Sequence, residues 1–214
     1  MPKNNEREYR NMTLAVQERA EGDQDERKVV AGYASTFNEP YILYQDDDLI
    51  YEEQVDSFAF DETDMSDVIM QYDHQGRVFA RISNNTLNVA PDEKGLFIEA
   101  DLGGTELGRQ LYDEIRGGYT DKMSFGFIVN KDEELRTEAP DGRVHILRTI
   151  TGISKLFDVS AVSIPANNGT SIGVSTRCKI DGAIEDIRAE RLEAEKLELE
   201  RRRAEVRAKA LGKE

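Results

Sequence analysis

Cysteine, tryptophan, histidine and long apolar runs are all scarce in this chain of 214 residues. Cys178 is the only cysteine, which excludes intramolecular disulfides and metal sites built from several cysteines, and fits a reducing compartment. No stretch approaches the roughly 18 consecutive apolar residues of a membrane span, and the polar N-terminus lacks the apolar region of a signal peptide. We therefore expect a soluble, cytoplasmic protein with no membrane partner.

Positive charge is also in short supply. The chain has 28 basic and 43 acidic residues and a formal charge of -15, and because residues 183–214 hold nine of each sign, the excess lies in the remainder. Such a body repels phosphate backbones, so no nucleic-acid partner is expected. Two acidic runs, residues 46–48 and 132–134, lack the alternating ligand spacing of a calcium loop and are interpreted as solvated loops.

The middle of the chain has the pattern of a sheet protein. Short runs of alternating apolar and polar residues end at Gly, Asn, Asp or Pro, which predicts strands. These runs are residues 29–37, 77–89 (two pieces), 96–102, 123–129, 144–153 and 156–164. A cap at Thr105 and a stripe of Leu107, Leu111 and Ile115 predict a helix over residues 105–116, and a second helix is expected over 58–66. The predicted fold is mainly β with helices (α+β), forming a closed or nearly closed small β-barrel.

The two ends of the chain differ from this middle. Residues 1–27 are polar and predicted to be loosely ordered, residues 28–180 form the expected folded domain, and residues 181–214 are predicted to be one long charged helix. Leu192, Leu199 and Val206 repeat every seven residues, but the second seam position of the heptad is polar or small. The helix is thus either a solvated charged element or a partner-binding one.

Three polar residues in the predicted strands are candidates for chemistry. His74, one of only two histidines, follows an apolar run where a strand ends; the alternative is a surface turn histidine. Ser124 lies opposite large apolar residues with Gly126 next on its own face, which leaves room for a substrate backbone or marks a thin outer face. Asp158, on the predicted face of Leu156, needs a partner if buried, and is either an orienting acid for a histidine or a hydrogen-bonded edge residue.

The sequence resembles the prohead maturation proteases of tailed bacteriophages, serine peptidases with a fold related to the herpesvirus assemblins. The similarity covers residues 30–177. It rests mainly on Met123-Ser124-Phe125-Gly126-Phe127 and on the strand with Asp158-Val159-Ser160 that ends in Pro165-Ala166, supported by Gly32-Tyr33-Ala34, Phe37, Phe58-Ala59-Phe60, His74, Gly95-Leu96, Thr105, Gly108, Gly117-Gly118 and Thr170. Two departures are Asp158, where the family usually has Glu, and Phe79-Ala80-Arg81, where it tends to have Leu-Gly-Arg.

This resemblance implies a catalytic set of Ser124 as nucleophile, His74 as general base and Asp158 as the orienting acid. It implies no metal and no organic cofactor, and oxyanion donors that are backbone amides or an arginine such as Arg148. The expected partners are the phage major capsid protein and scaffold, cleaved inside an assembling procapsid in the host cytoplasm, together with self-cleavage; self-association is left open. The C-terminal helix is then a scaffold contact or a self-cleaved segment.

Three alternatives remain open on the sequence. The first is a catalytically silent capsid assembly or scaffolding protein. The second is a metal hydrolase built on His74, Asp73 and the acidic loops, which lacks a second well-spaced histidine. The third alternative concerns only the residue that orients His74. His145, which starts a predicted strand after a turn, is an outside candidate for this role in place of Asp158.

Overall fold

The described part of the chain is dominated by strands. The computed structural model describes residues 7–16, 27–163 and 174–211, with side chains described for 7–10, 27–163 and 178–205. The strands are β1 Glu8–Val16, β2 Val29–Thr36, β3 Tyr41–Gln45, β4 Leu49–Val55, β5 Ile69–Tyr72, β6 Gln75–Arg81, β7 Leu87–Pro91, β8 Gly95–Asp101, β9 Lys122–Glu138 and β10 Val144–Val162. The helices are α1 Glu106–Arg116 and α2 Val174–Leu211, and a 3-10 turn spans Ile82–Asn84.

One long strand, β10, organises the sheet. The pairing order is β3-β4-β10-β9-β1-β2-β8-β7, and the β5–β6 hairpin attaches to β10 through β5. β4 pairs in parallel with the first part of β10, β5 pairs in parallel with its last part, and β9 runs antiparallel along its whole length. The predicted α+β class with mostly strands and a long C-terminal helix is confirmed. Among the described strands the order is an open path, and no closed barrel is found.

The core lies on one face of this sheet. Alternation places Leu96, Ile98 and Ala100 of β8 inside, and Met123, Phe125 and Phe127 of β9 pack in the same cluster. Helix α1 covers it with Leu111 and Ile115, and Thr105 caps the helix by accepting a hydrogen bond from the amide of Gly108 at 2.9 Å. Residues two apart on β9 therefore share the core, while Ser124 and Gly126 lie on the opposite face.

The beginning of helix α2 also packs on the sheet. Ile180 and Ile187 are buried in a second cluster with Leu43, Leu49 and Tyr51. Farther along, Leu192, Leu197 and Leu199 are exposed. The helix is thus docked at its start and solvated over its later described turns, and this division follows the placement of its three isoleucines, Ile180, Ile184 and Ile187.

Several elements differ from the sequence predictions. Residues 58–66 form successive hydrogen-bonded turns instead of the expected helix. Residues 8–16, in the segment expected to be loose, form the central strand β1, because pairing on both edges by β2 and β9 supplies the order that its own polar sequence does not. The two strands expected over 144–164 are the single strand β10, and Ile164, Pro165, Ala166 and Thr170 lie outside the described residues.

Acidic residues 132–134 were expected in a solvated loop but lie within strand β9. The carboxylate of Asp132 accepts hydrogen bonds from Arg148 and Lys179. Residues 46–48 do lie in the turn between β3 and β4. Within the described ranges, no group of three or more His, Cys, Asp or Glu residues is arranged to hold a metal ion. Neither of the two described helices is both long enough and apolar enough to cross a membrane.

Candidate active site

Ser124 and Asp158 share the outer face of the sheet because of the register between β9 and β10. Ser124 pairs with Ser160, and Gly126 pairs with Asp158. Directly opposed residues of an antiparallel pair have their Cβ atoms about 4.5–5.5 Å apart. The Ser160 hydroxyl donates to Asp158 Oδ2 at 2.8 Å, so it links the position of Ser124 to the carboxylate.

A bulge in β10 turns Asp158 to this face. Leu156 pairs with Phe127 and Asp158 pairs with Gly126, so two residues of β10 advance against one of β9. Leu156 is in the core, whereas Asp158 is on the outer face. The predicted shared face of Leu156 and Asp158 is therefore wrong, because strict alternation does not hold across a bulge, a device that often re-aims a side chain beside an active site.

His74 reaches the site from the tip of the β5–β6 hairpin. Asp73 and His74 both have positive φ, 48° and 57°, as the two central residues of a tight hairpin turn do. Neither residue is glycine, so this conformation is strained, and the turn is fastened by Asp73, whose carboxylate accepts hydrogen bonds from Ser163 N at 2.9 Å and Ser163 Oγ at 2.8 Å. The amide of Asp73 also donates to Ala161 O of β10 at 2.9 Å.

The imidazole and the carboxylate are in direct contact. His74 Nδ1 bonds Asp158 Oδ2, and Arg7 Nη2 forms an ion pair with Asp158 Oδ1 at 2.8 Å. Asp158 is fully buried, so its charge requires these partners together with Ser160. The sequence argument was that a buried Asp158 needs a partner and that a histidine would meet this need, and His74 is one of the partners observed.

Four buried polar atoms at this site have no hydrogen-bond partner among the described residues. They are Ser124 Oγ, His74 Nε2 (the remaining ring nitrogen of the histidine), Arg7 Nε and Asp158 Oδ1, the last of which is in the ion pair with Arg7. Buried polar groups are normally satisfied, and each exception calls for an explanation. Ser124 lies on the same sheet face as Asp158, which holds His74 at its other nitrogen, and a hydroxyl, an imidazole and a carboxylate are the groups used for nucleophilic attack on a carbonyl.

The remaining sequence candidates lie elsewhere. His145 is near the start of β10, and its Nε2 is 2.8 Å from Glu52 Oε2, whereas Asp158 is near the other end of the strand. Arg148 is buried, and its guanidinium binds Glu8, Glu53 and Asp132, so it does not face the outer site as an oxyanion donor. Gly126 does not leave space for a substrate, because a Cβ there would lie 2.6 Å from Asp158 Oδ1.

Arg148 belongs to a buried cluster that we call the ion network: Glu8, Arg10, Glu53 and Arg148. Arg10 Nη2 is 2.7 Å from both Glu8 Oε2 and Glu53 Oε2, and Arg148 Nη1 is 2.9 and 2.8 Å from the same two atoms. Burial would raise the pKa of Glu8, but the two arginines lower it to about 2. Burial and the Glu53 charge raise the pKa of Tyr41, whose hydroxyl donates to Glu53 at 2.5 Å.

Comparison with protein families agrees with this site. A sequence model described as the caudovirus prohead serine protease matches residues 14–181. The chain belongs to the prohead serine protease family. Searches of curated proteins and of solved structures find no match. The matched range contains Ser124, His74 and Asp158, and family membership implies a serine peptidase.

Sequence reasoning missed two residues at the site of this prohead protease family member. Arg7 contacts Asp158, and the ring centroids of Tyr9 and His74 are 4.3 Å apart. Both residues precede the range that the family model matches. The alternation Arg7, Glu8, Tyr9, Arg10 was the available signal, but it is obscured because charged residues occupy both faces of the strand.

Proposed function

We propose that this protein is the maturation protease of a phage procapsid, with Ser124 as the nucleophile, His74 as the general base and Asp158 as the residue that orients the imidazole. The observation that carries the proposal is the contact of the partly buried His74 with the buried Asp158, which lies on the same sheet face as Ser124, while Ser124 Oγ and His74 Nε2 have no hydrogen-bond partner among the described residues. Membership of the prohead serine protease family supplies the class of reaction.

The reaction begins when Ser124 Oγ attacks the scissile carbonyl and His74 Nε2 accepts the hydroxyl proton. Asp158 holds Nδ1–H and stabilises the imidazolium that forms. His74 then donates the proton to the leaving amine, and an ester joins the substrate acyl group to Ser124. A water molecule, deprotonated by His74, hydrolyses the ester and restores the hydroxyl.

Formation of the Ser124–His74 hydrogen bond is part of substrate binding in this proposal. The two atoms do not bond each other in the present conformation. Such bonds are often long in the free enzyme and tighten in the Michaelis complex. Because Arg148 is engaged in the ion network, we propose that backbone amides near Ser124 donate the hydrogen bonds that stabilise the oxyanion.

The substrates in this proposal are extensions of the major capsid protein or of the scaffold, and the protease itself. The place of action is the interior of the assembling procapsid in the host cytoplasm. The later turns of α2 are the scaffold contact or a segment removed by self-cleavage. Truncation after Arg191 keeps the buried Ile180 and Ile187, so it tests this role without removing the docked turns. Unchanged incorporation into procapsids and unchanged self-processing would reject the role.

Labelling by a fluorophosphonate probe and co-expression with the capsid protein test the activity directly. We expect labelling and cleavage in the natural protein and neither in Ser124→Ala. Ser35→Ala is the matched control, since Ser35 is also a buried strand serine but its hydroxyl donates to Thr36 O at 3.2 Å. No labelling and no capsid-protein cleavage by the natural protein would instead favour the catalytically silent assembly protein.

A further inference from the structure

Strand β1 and the residue before it present side chains to both faces of the sheet. Arg7 and Tyr9 point to the candidate active site, while Glu8 and Arg10 belong to the ion network. The register places Tyr9 opposite Gly126 and Arg10 opposite Phe125. The segment is therefore fixed by buried ion pairs on one face and contacts the Asp158–His74 pair with the other.

Arg7 is held over the site by more than one contact. Its Cζ atom lies 4.1 Å from the centroid of the Phe157 ring, and its Nη2 atom pairs with Asp158 Oδ1 at 2.8 Å. A Cβ at position 126 would lie 3.0 Å from Arg7 Nε and 2.9 Å from the Tyr9 ring. The glycine of the Ser-x-Gly pattern thus provides the space in which Arg7, Tyr9 and Asp158 meet.

Tyr9 contacts the other member of the pair. Its ring and that of His74 have centroids 4.3 Å apart and planes inclined by 59°. Tilted aromatic contacts of this kind favour a particular ring orientation. Asp158 holds the histidine through a hydrogen bond at Nδ1, and the Tyr9 ring limits rotation of the imidazole about this hydrogen bond.

We propose that residues 7–10 complete the active site, with Arg7 as a positioning residue for the Asp158 carboxylate and Tyr9 as a positioning residue for the His74 ring. The inference rests on the proposed protease function for its effect on turnover. It adds residues that lie before the matched range 14–181.

Charge is what distinguishes this role of Arg7 from simple packing. Arg7 pairs with the Asp158 carboxylate, Tyr9 contacts the His74 ring, and Asp73 on the same turn as His74 is bound to Ser163. The guanidinium holds one oxygen of Asp158, and His74 and Ser160 bond the other. Without the guanidinium, the buried carboxylate loses this counter-charge and is no longer held in one orientation.

The test is the NMR signal of the His74 Nδ1 proton that bonds Asp158, recorded at one fixed pH in full-length Ser124→Ala protein, which cannot cleave itself by the proposed route. Only His74 and His145 give signals, and His145→Gln identifies them. We expect Arg7→Gln to lose the His74 Nδ1–H signal to exchange with water, because the carboxylate that accepts this proton is no longer held in place. Arg7→Met, which retains an apolar stem against Phe157, should act in the same way, whereas Arg7→Lys should retain most of the signal.

The matched control is Arg136→Gln, which removes one positive charge from an exposed pair with Glu190. With Ser124 present, Arg7→Gln should also lower kcat with little change in KM. The proposal is overturned if Arg7→Gln and Arg7→Met keep the same His74 Nδ1–H signal as Arg136→Gln. Loss of this signal in a protein that never cleaves a substrate supports the positioning role and rejects the protease, so the two failures are distinguishable.

Discussion

The two buried charged clusters of this protein differ in how completely their polar atoms are satisfied. In the ion network, two glutamates and two arginines pair with each other between strands β1, β4 and β10. In the site, Asp158 is equally buried, yet Ser124 Oγ and His74 Nε2 have no hydrogen-bond partner in the part of the chain that the structure describes. Full pairing is expected of a structural element, whereas open donors and acceptors at a fixed geometry are available to a reacting molecule.

Asp158→Asn is expected to have the largest effect on activity of the variants that distinguish the site from the ion network. The amide cannot hold the reactive tautomer of His74 or stabilise its cation, so kcat should fall roughly 10³- to 10⁴-fold, as measured on a capsid-protein peptide. Asp132→Asn is the control, because Asp132 pairs with Arg148 and Lys179 and not with His74. Equal losses in the two variants would contradict the assignment.

Glu53→Gln should instead affect stability. It leaves Arg10 and Arg148 short of a buried counter-charge, which costs about 3–5 kcal/mol in the free energy of unfolding measured with urea. Its neighbour Glu52 is partly exposed and pairs with His145, so Glu52→Gln should cost less than about 1 kcal/mol. Similar unfolding curves for the two variants would show that the ion network is not structural in this sense.

Acid should weaken the ion network in a defined range of pH. The folded-state pKa of Glu8 is lowered from 4.5 to about 2, so its stabilisation is present above pH 4.5 and is lost as pH falls towards about 2. The full effect corresponds to about 3 kcal/mol. Urea unfolding between about pH 5 and pH 3 should show a shallower acid dependence in Glu8→Gln than in the natural protein. Identical dependences would refute the contribution of Glu8.

Gly126→Ala is the mildest change, and it tests the packing of the site. Its Cβ would lie 2.6 Å from Asp158 Oδ1, so the carboxylate must shift, and we expect kcat/KM to fall about 10- to 100-fold. Gly152→Ala is a close control, with a Cβ 2.6 Å from Asn130 Oδ1 but away from the site. If both variants retain full activity, tight packing at Gly126 does not matter for turnover.

Local patterns predicted the parts of the fold that depend on nearby residues. The alternation in β8, the Thr105 cap of α1 and the charged composition of α2 each correspond to an observed element. Residues 58–66 were predicted wrongly as a helix because turns with hydrogen bonds to aspartate side chains stabilise the segment instead, such as the bond that the Phe58 amide donates to Asp56 Oδ1. Strand β1 was missed because its polar residues are satisfied by distant partners such as Glu53 and Arg148.

The sequence by itself determined the chemical inventory of this protein: one cysteine, two histidines, a Met-Ser-Phe-Gly-Phe strand and a carboxylate in an apolar run, together with its family. Only the tertiary structure decided that a bulge turns Asp158 outward, that a strained turn brings His74 to it, and that Arg7 and Tyr9 lie against both. Local propensity is set by neighbouring residues, whereas these contacts depend on the register of paired strands, which a single sequence does not specify.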